Sequence, residues 1–214
     1  MNPPATRWPD VRQYPCERVT AGILAGGRAT RMGGVDKGLV ELGGRPMVEY
    51  VIDALRPQTS RVLINANRSF DRYQRYGVTV VRDRQEGFLG PLAGIASMMA
   101  VCETEWLLTS PCDSPQVSAD LGPRLWREIV RDDAEIAVAH SGERLEPVFA
   151  LLRCDLCEDL EAYLDSGGRK IDRWYQRHRM AAADFSDRPE MFVNVNTLSD
   201  RDLLASGWRK SPSK

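Results

Sequence analysis

The 214-residue sequence predicts a single-domain α/β protein built on a doubly wound, mostly parallel sheet. Three observations predict it. Short apolar β-like runs alternate with helical patterns through about residue 130. A glycine-rich loop joins the first such run to a helix, the place where α/β proteins bind phosphates. The polar residues that end the runs, Asn65, Asp83 and Asp113, fall at strand carboxyl ends, where such sheets form their ligand crevice.

Val19 to Leu24 reads as the first strand, central and buried. The glycine-rich stretch Gly22 to Gly38 follows from it. Gly26, Gly27, Gly33 and Gly34 lack Cβ atoms, so the backbone can approach a ligand closely and aim several N–H groups at one set of oxygens. Arg31 and Lys37 add a planar fork and a point charge, both suited to polyphosphate. The common phosphate patterns do not fit. Lys37 lies between Asp36 and Gly38, which excludes Walker A, and G-x-G-x-x-G is absent from this loop.

Val40 to Leu42 reads as a short extended piece ending in a Gly43-Gly44 turn. Pro46 opens a helix with an apolar stripe at Val48, Val51, Ile52 and Leu55, and Pro57 ends it. Arg61 to Ala66 is the second strand, Phe70 to Tyr76 a short helix, and Val78 to Arg82 the third strand. Gly87 to Gly94 is a second glycine-rich loop, leading into a helix that runs to about Val101 with Ile95, Met98 and Met99 on its apolar face. Trp106 to Thr109 is the fourth strand. Ser118 is a candidate cap for the next helix, with Pro123 marking an alternative start. Glu135 to Ala139 and Val148 to Leu152 read as strands around a turn at Ser141-Gly142. Cys154 to Leu164 and Lys170 to His178 read as helices, Met180 to Phe185 and Phe192 to Val195 as late strands, and a final helix starts near Ser199.

Composition narrows the function. Hydrophobic residues at 43% and charged residues at 28% are ordinary for a globular domain. A net charge of −1 gives no basic field for nucleic acid, so an anion site must be local. No apolar run approaches the ~20 residues of a membrane span. The Pro-rich start has no signal-like apolar region, which predicts a cytoplasmic protein. Residues 1–17 and 209–214 read as tails around a domain over 18–208. Five cysteines, widely spaced, describe no disulfide framework. Cys154-x-x-Cys157 has no second pair to complete a zinc site and reads as two half-buried helix residues.

The chemistry the crevice permits is phosphoryl-group chemistry. Backbone amides, Arg31 and Lys37 can neutralise a triphosphate. Mg²⁺ takes one or two carboxylates plus phosphates and water, and Asp113, held between Pro111 and Pro115, is the expected ligand; a turn or helix-capping Asp is the plainer reading. Asp83 can help the metal, contact nucleotide, or simply end a strand.

The runs Leu24-Ala25-Gly26-Gly27, Arg31-Met32-Gly33 and Asp36-Lys37 resemble the signature of nucleotidyltransferases with a Rossmann-like, nucleotide-diphospho-sugar-transferase type of fold. The closest resemblance is to molybdenum cofactor guanylyltransferases. It extends through Asn65 to Arg68, Gly90 to Gly94, Pro111 to Asp113 and Phe192 to Thr197, covering roughly Val19 to Leu204. That resemblance implies transfer of GMP from GTP to the terminal phosphate of molybdenum-loaded molybdopterin, with pyrophosphate released. It implies GTP contacts from Leu24, Ala25, Gly26, Gly27, Lys37, Asn65, Asp83, Pro91, Leu92 and Asp113, with Lys37, Arg31 and Asp113 catalytic and Mg²⁺ on Asp113. It puts Asn194 and Asn196 near molybdopterin; on an alternating strand they would face one side, where they can equally serve turn backbone. A monomer with transient contacts to cofactor-synthesis and molybdoenzyme proteins is the expected working state. A cytidylyltransferase on the same pterin, a sugar-phosphate nucleotidyltransferase and a non-catalytic nucleotide-binding regulator are the competing readings.

Overall fold

A computed structural model describes residues 13–26, 36–84 and 90–195 of the chain. Seven strands form one sheet: β1 Val19–Leu24, β4 Arg61–Asn65, β5 Thr79–Val81, β6 Trp106–Pro111, β7 Ile136–His140, β8 Leu145–Arg153 and β9 Met180–Asp184. Their spatial order is β5-β4-β1-β6-β8-β7-β9. Every pairing is parallel except the two made by β8, which runs against β6 and β7. A small hairpin, β2 Glu41–Leu42 with β3 Arg45–Pro46, lies outside the sheet. Strand order reverses at β1, which has β4 on one side and β6 on the other, so the crevice opens at its carboxyl end.

Strand residues alternate between two cores, as the period of two requires. Val19, Ala21 and Ile23 of β1, with Trp106 and Leu108 of β6, face one core. That core is completed by α1 (Met47–Leu55) through Val48, Val51, Ile52 and Leu55, by Tyr73 of α2 (Phe70–Gln74), and by Leu121, Leu125 and Ile129 of α4 (Leu121–Asp132). Leu63, Leu107, Ala150 and Leu152 face the other core. It is filled by Leu92, Ile95 and Met98 of α3 (Pro91–Met99), Leu160 and Leu164 of α5 (Cys157–Asp165), and Trp174 and Tyr175 of α6 (Ile171–Tyr175). Gly22 sits where α3 crosses β1. A Cβ there would stand 2.9 Å from the Met98 methyl carbon and 3.1 Å from Leu107 Cδ1, so the close crossing requires glycine.

Several boundaries differ from the sequence reading, each for a local reason. Helix α3 begins inside the second glycine-rich loop, at Pro91, where a missing N–H costs nothing. Helix α4 begins at Leu121, and Pro123 falls in its first turn, where the amide has no intrahelical acceptor in any case. Ser118 does not cap it: its hydroxyl meets the Asp120 carboxylate instead. Cys154–Leu156 form a 3₁₀ turn ahead of α5. Past α6, the amides of Arg177 and His178 bond three residues back, to Trp174 and Tyr175, so the last turn tightens and the helix stops short of His178.

The late strand expected over Phe192 to Val195 is not formed. Pro189–Phe192 make a 3₁₀ turn, and residues 193–195 cross the top of the sheet without a ladder. The Val195 amide donates to the Asp113 carbonyl at 3.1 Å rather than to a neighbouring strand. The final helix expected near Ser199 lies outside the described residues. At the other end, Cys16–Arg18 form a 3₁₀ turn, and Tyr14 packs against Gly122 of α4.

Candidate active site

The crevice is built by loops that continue the sheet's hydrogen bonding past the strand ends. Ala25 N–H donates to Asn65 O at 2.8 Å, Ala66 N–H to Val81 O at 2.9 Å, and Cys112 N–H to Leu24 O at 3.1 Å. With the Val195 bond to Asp113, these links lay the loops after β1, β4, β5 and β6 side by side.

On the β4 side, Asn65 is 2% exposed. Its Nδ2 donates to Asp83 Oδ1 at 2.8 Å and to Val81 O at 3.3 Å. Asn67 Nδ2 donates to Asp83 Oδ2 at 2.7 Å, and Asp83 N–H returns a bond to Asn67 Oδ1 at 2.9 Å. Both Asp83 oxygens therefore accept from asparagine amides. Asp83 thereby braces Asn65. Asn65 Oδ1 points between two glycines: a Cβ on Gly26 would lie 2.9 Å from it, and one on Gly94 2.3 Å. Leu24, Ala25, Gly26, Asn65 and the first turn of α3 thus meet at one place. Leu92 is fully buried in the α3 core, which leaves only its backbone, with that of exposed Pro91, to face the crevice.

On the β6 side, Lys37 Nζ stands 3.2 Å from Asp113 Oδ2, with side-chain exposures of 26% and 13%. The 3₁₀ turn Lys37–Leu39 carries the lysine. Behind it, the buried Asp36 carboxylate accepts from the Tyr73 hydroxyl at 2.5 Å, and Arg68 Nε approaches its other oxygen at 3.7 Å. Burial, then the neighbouring Cys112 and Asp36, push the Tyr73 phenol far above its ordinary range, so it stays a donor. Cys112, fully enclosed, is likewise held as a thiol, chiefly by burial. Ser114 donates to Asn194 Oδ1 at 2.6 Å, which ties the late segment to the Asp113 loop.

The structure therefore brings Lys37 and Asp113 together, gathers Leu24, Ala25, Gly26, Asn65 and Asp83 beside them, and joins Asn194 through Ser114. Gly27, Arg31 and Asn196 lie outside the described residues. The sequence reading passed over Asn67, Tyr73 and Asp36 as site residues. Asn67 carried a signal, since it stands two residues after Asn65 in the same run; Tyr73 and Asp36 carried none beyond the Asp36-Lys37 pair. The two histidines are elsewhere. His140 Nδ1 accepts from Gly142 N–H, and His178 faces Asp159.

A mostly parallel sheet with a lysine and an aspartate meeting at its switch point is the arrangement of a nucleotide-binding α/β enzyme. Comparison with known proteins agrees. The MobA-like NTP transferase domain pattern matches residues 21–181, and the chain belongs to that family. It is 50% identical over 194 residues to the molybdenum cofactor guanylyltransferase of Shewanella sp. strain MR-4, covering 91% of this chain and 98% of that one. Its fold is similar to molybdopterin-guanine dinucleotide biosynthesis protein A from Archaeoglobus fulgidus, with a TM-score of 0.74, 21% identity, and coverage of 90% of this chain and 100% of that chain. It is also similar in fold to 4-diphosphocytidyl-2C-methyl-D-erythritol synthase from Anaerococcus prevotii, with a TM-score of 0.68, 11% identity, and coverage of 92% and 98%.

Proposed function

We infer that this protein transfers GMP from GTP to the terminal phosphate of molybdenum-loaded molybdopterin, forming the molybdopterin guanine dinucleotide cofactor and pyrophosphate. The observation that carries the reading is the 50% identity to a molybdenum cofactor guanylyltransferase across nearly the whole of both chains. The juxtaposition of Lys37 and Asp113 supports it.

The attacking group in this reaction is a phosphate oxygen, anionic near neutral pH. No side-chain base is needed, which agrees with both histidines lying outside the crevice. The work left to the protein is positioning and charge neutralisation. Lys37 meets the triphosphate, and Arg31 shares its charge. The backbone of Leu24, Ala25, Gly26, Gly27, Pro91 and Leu92 lies along the nucleotide, and Asn65, braced by Asp83, offers its carbonyl oxygen towards it. Asn194 and Asn196 are assigned to recognition of the acceptor.

Mg²⁺ fits the donor set. Among the described residues no cluster of three or more His, Cys, Asp or Glu side chains forms a metal cage. A single firmly held carboxylate completed by phosphate oxygens and water is how Mg²⁺ is usually bound beside a nucleotide. Asp113 supplies that carboxylate, and its neighbour Lys37 is a cation that the metal would displace from Oδ2. Bound there, Mg²⁺ would neutralise charge on the phosphate oxygens and the departing pyrophosphate.

Among the described residues no helix is long and apolar enough to cross a membrane. We place the enzyme in the cytoplasm as a monomer that meets the makers and users of its cofactor transiently. The test of function is pyrophosphate release with Mg²⁺ and molybdenum-loaded molybdopterin, comparing GTP with CTP. Release with GTP alone is expected. Release with CTP alone would replace the base assignment, and nucleotide binding without release from either would make the protein a regulator.

A further inference from the structure

One buried cluster next to the site is not accounted for by substrate contact. Asp36 is 5% exposed and Tyr73 is fully buried, yet they form a hydrogen bond of 2.5 Å. The second Asp36 oxygen is buried and accepts no hydrogen bond; it is answered by a long ion pair to Arg68 Nε at 3.7 Å. Burying a carboxylate under these terms costs stability, and a well-packed apolar residue would serve a purely structural purpose better.

The cluster's place in the chain supplies the reason. Asp36 directly precedes Lys37 and is the residue from which the Lys37–Leu39 turn starts; Leu39 N–H donates to Asp36 O at 3.0 Å. Gly38, directly after Lys37, is pressed between the two sides of the site. A Cβ there would lie 2.7 Å from the Tyr73 hydroxyl, and 3.1 Å and 3.2 Å from Cβ and Sγ of Cys112, the neighbour of Asp113. Lys37 is therefore clamped on one side by the Tyr73–Asp36 bond and on the other by a backbone seated against the Asp113 loop. Arg68 belongs to the same β4–α2 connection as Asn65 and Asn67.

We propose that Tyr73 and Asp36 are positioning residues: their buried bond fixes where Lys37 stands relative to Asp113. The proposal rests on the reading of Lys37 and Asp113 as the charge-neutralising pair of GMP transfer. A lysine ammonium and a divalent cation cannot both hold the same carboxylate oxygen closely. With the clamp intact, Lys37 is held beside Asp113, where it would contest Oδ2 with a metal ion while staying placed to meet the phosphates. With the clamp loosened, Lys37 wanders, Asp113 is less contested, and the metal binds more readily while the reaction slows.

The signature is thus a split that simple destabilisation does not produce. In Tyr73→Phe, kcat is expected to fall about tenfold with KM for GTP within about twofold, a loss confined to the transition state. The Mg²⁺ concentration for half-activation is expected to fall about threefold in the same variant, against the direction of a damaged site. Mn²⁺ titration by electron paramagnetic resonance in the presence of GTP supplies the readout independent of turnover, and tighter Mn²⁺ binding is expected. Asp36→Asn, which keeps the volume and an acceptor for the Tyr73 hydroxyl, is expected to retain more kcat than Tyr73→Phe. Unchanged kcat and unchanged Mn²⁺ affinity in a folded Tyr73→Phe protein would overturn the proposal, as would weaker Mn²⁺ binding. If Tyr73→Phe does not fold, Asp36→Asn carries the test: kcat and Mn²⁺ affinity both identical to those of the starting protein would overturn it. Absence of pyrophosphate release from the starting protein would instead overturn the guanylyltransferase reading, and the Mn²⁺ titration would still test the clamp.

Discussion

Replacing Gly94 by Ala separates two opposing effects whose sizes the structure fixes. Gly94 lies in the first turn of α3, and alanine in a helix is favoured over glycine by about 1 kcal/mol. Against this, the new Cβ would stand 2.3 Å from Asn65 Oδ1 and 2.7 Å from Leu24 Cδ2. Asn65 cannot swing aside without cost, because its amide is bonded to Asp83 and Val81 in a 2%-exposed setting. Overpacking of this kind costs about 2 kcal/mol, and one lost buried bond about 1 more. The net expectation is a loss of about 2 kcal/mol, a fall in Tm of about 4–8 °C for a domain of this size. Thermal and urea unfolding measure it, with GTP affinity recorded alongside. Adding Asn65→Ala to Gly94→Ala should recover part of the packing loss, since it removes the nearer of the two clashing atoms and leaves Leu24 Cδ2. Gly77→Ala is the contrasting control: no atom lies within 4 Å of its Cβ position, and only the positive φ of 66° is strained. A Gly94→Ala protein more stable than the original would show that Asn65 is loosely held and refute the brace assigned to Asp83.

Three further outcomes are expected. Asp113→Asn should cut turnover by about two orders of magnitude while GTP binding stays within about threefold, whereas Lys37→Ala should weaken both; calorimetry with GTP beside a pyrophosphate assay distinguishes them. Gln58→Ala should cost about 2 kcal/mol in urea unfolding, because the buried Gln58 side chain bonds Ala54 O, Ser118 O and Gly122 N–H; Ser118 O keeps the Leu121 amide, but the Gly122 N–H loses its side-chain acceptor. Cys102 should be the first thiol alkylated. Its contact with the Cys154 thiol, outweighing burial and helped by Thr104, holds it below the ordinary thiol range, so its rate should level off at a lower pH than that of the other thiols. Cys157, pushed up chiefly by burial, should instead react faster as pH rises through 8, and mass-spectrometric alkylation profiles would show the difference.

The parts of the fold that sequence made legible are those where one period dominates. β1 is an apolar run opening into a glycine-rich loop, β4 and β6 are apolar runs leading to Asn65 and Asp113, and α1 shows a helical stripe between two prolines, so these elements and the crevice at the strand ends could be read directly. Lys37 and Asp113 were legible because each sits in a run with its own pattern. Leu92 was legible in position but not in orientation, since a first-turn residue can face core or crevice. The Tyr73–Asp36 bond spans 37 positions and joins a helix to a loop with no shared pattern. Residues 192–195 alternate like a strand, yet no sheet edge is available to them above β6, and the Val195 amide finds a loop carbonyl instead. In both cases the deciding partner is distant in sequence, and local preference carries no information about it.

The bond from Val195 N–H to Asp113 O, with Ser114 donating to Asn194, has a consequence for the order of events in a catalytic cycle. The segment expected to greet the acceptor and the carboxylate expected to hold the metal are neighbours through a single peptide, although about eighty positions separate them in the chain. Whatever shifts the first tugs on the second. Under the proposed function, the two substrates would then be felt at adjoining atoms, and the seating of one would bear on the other.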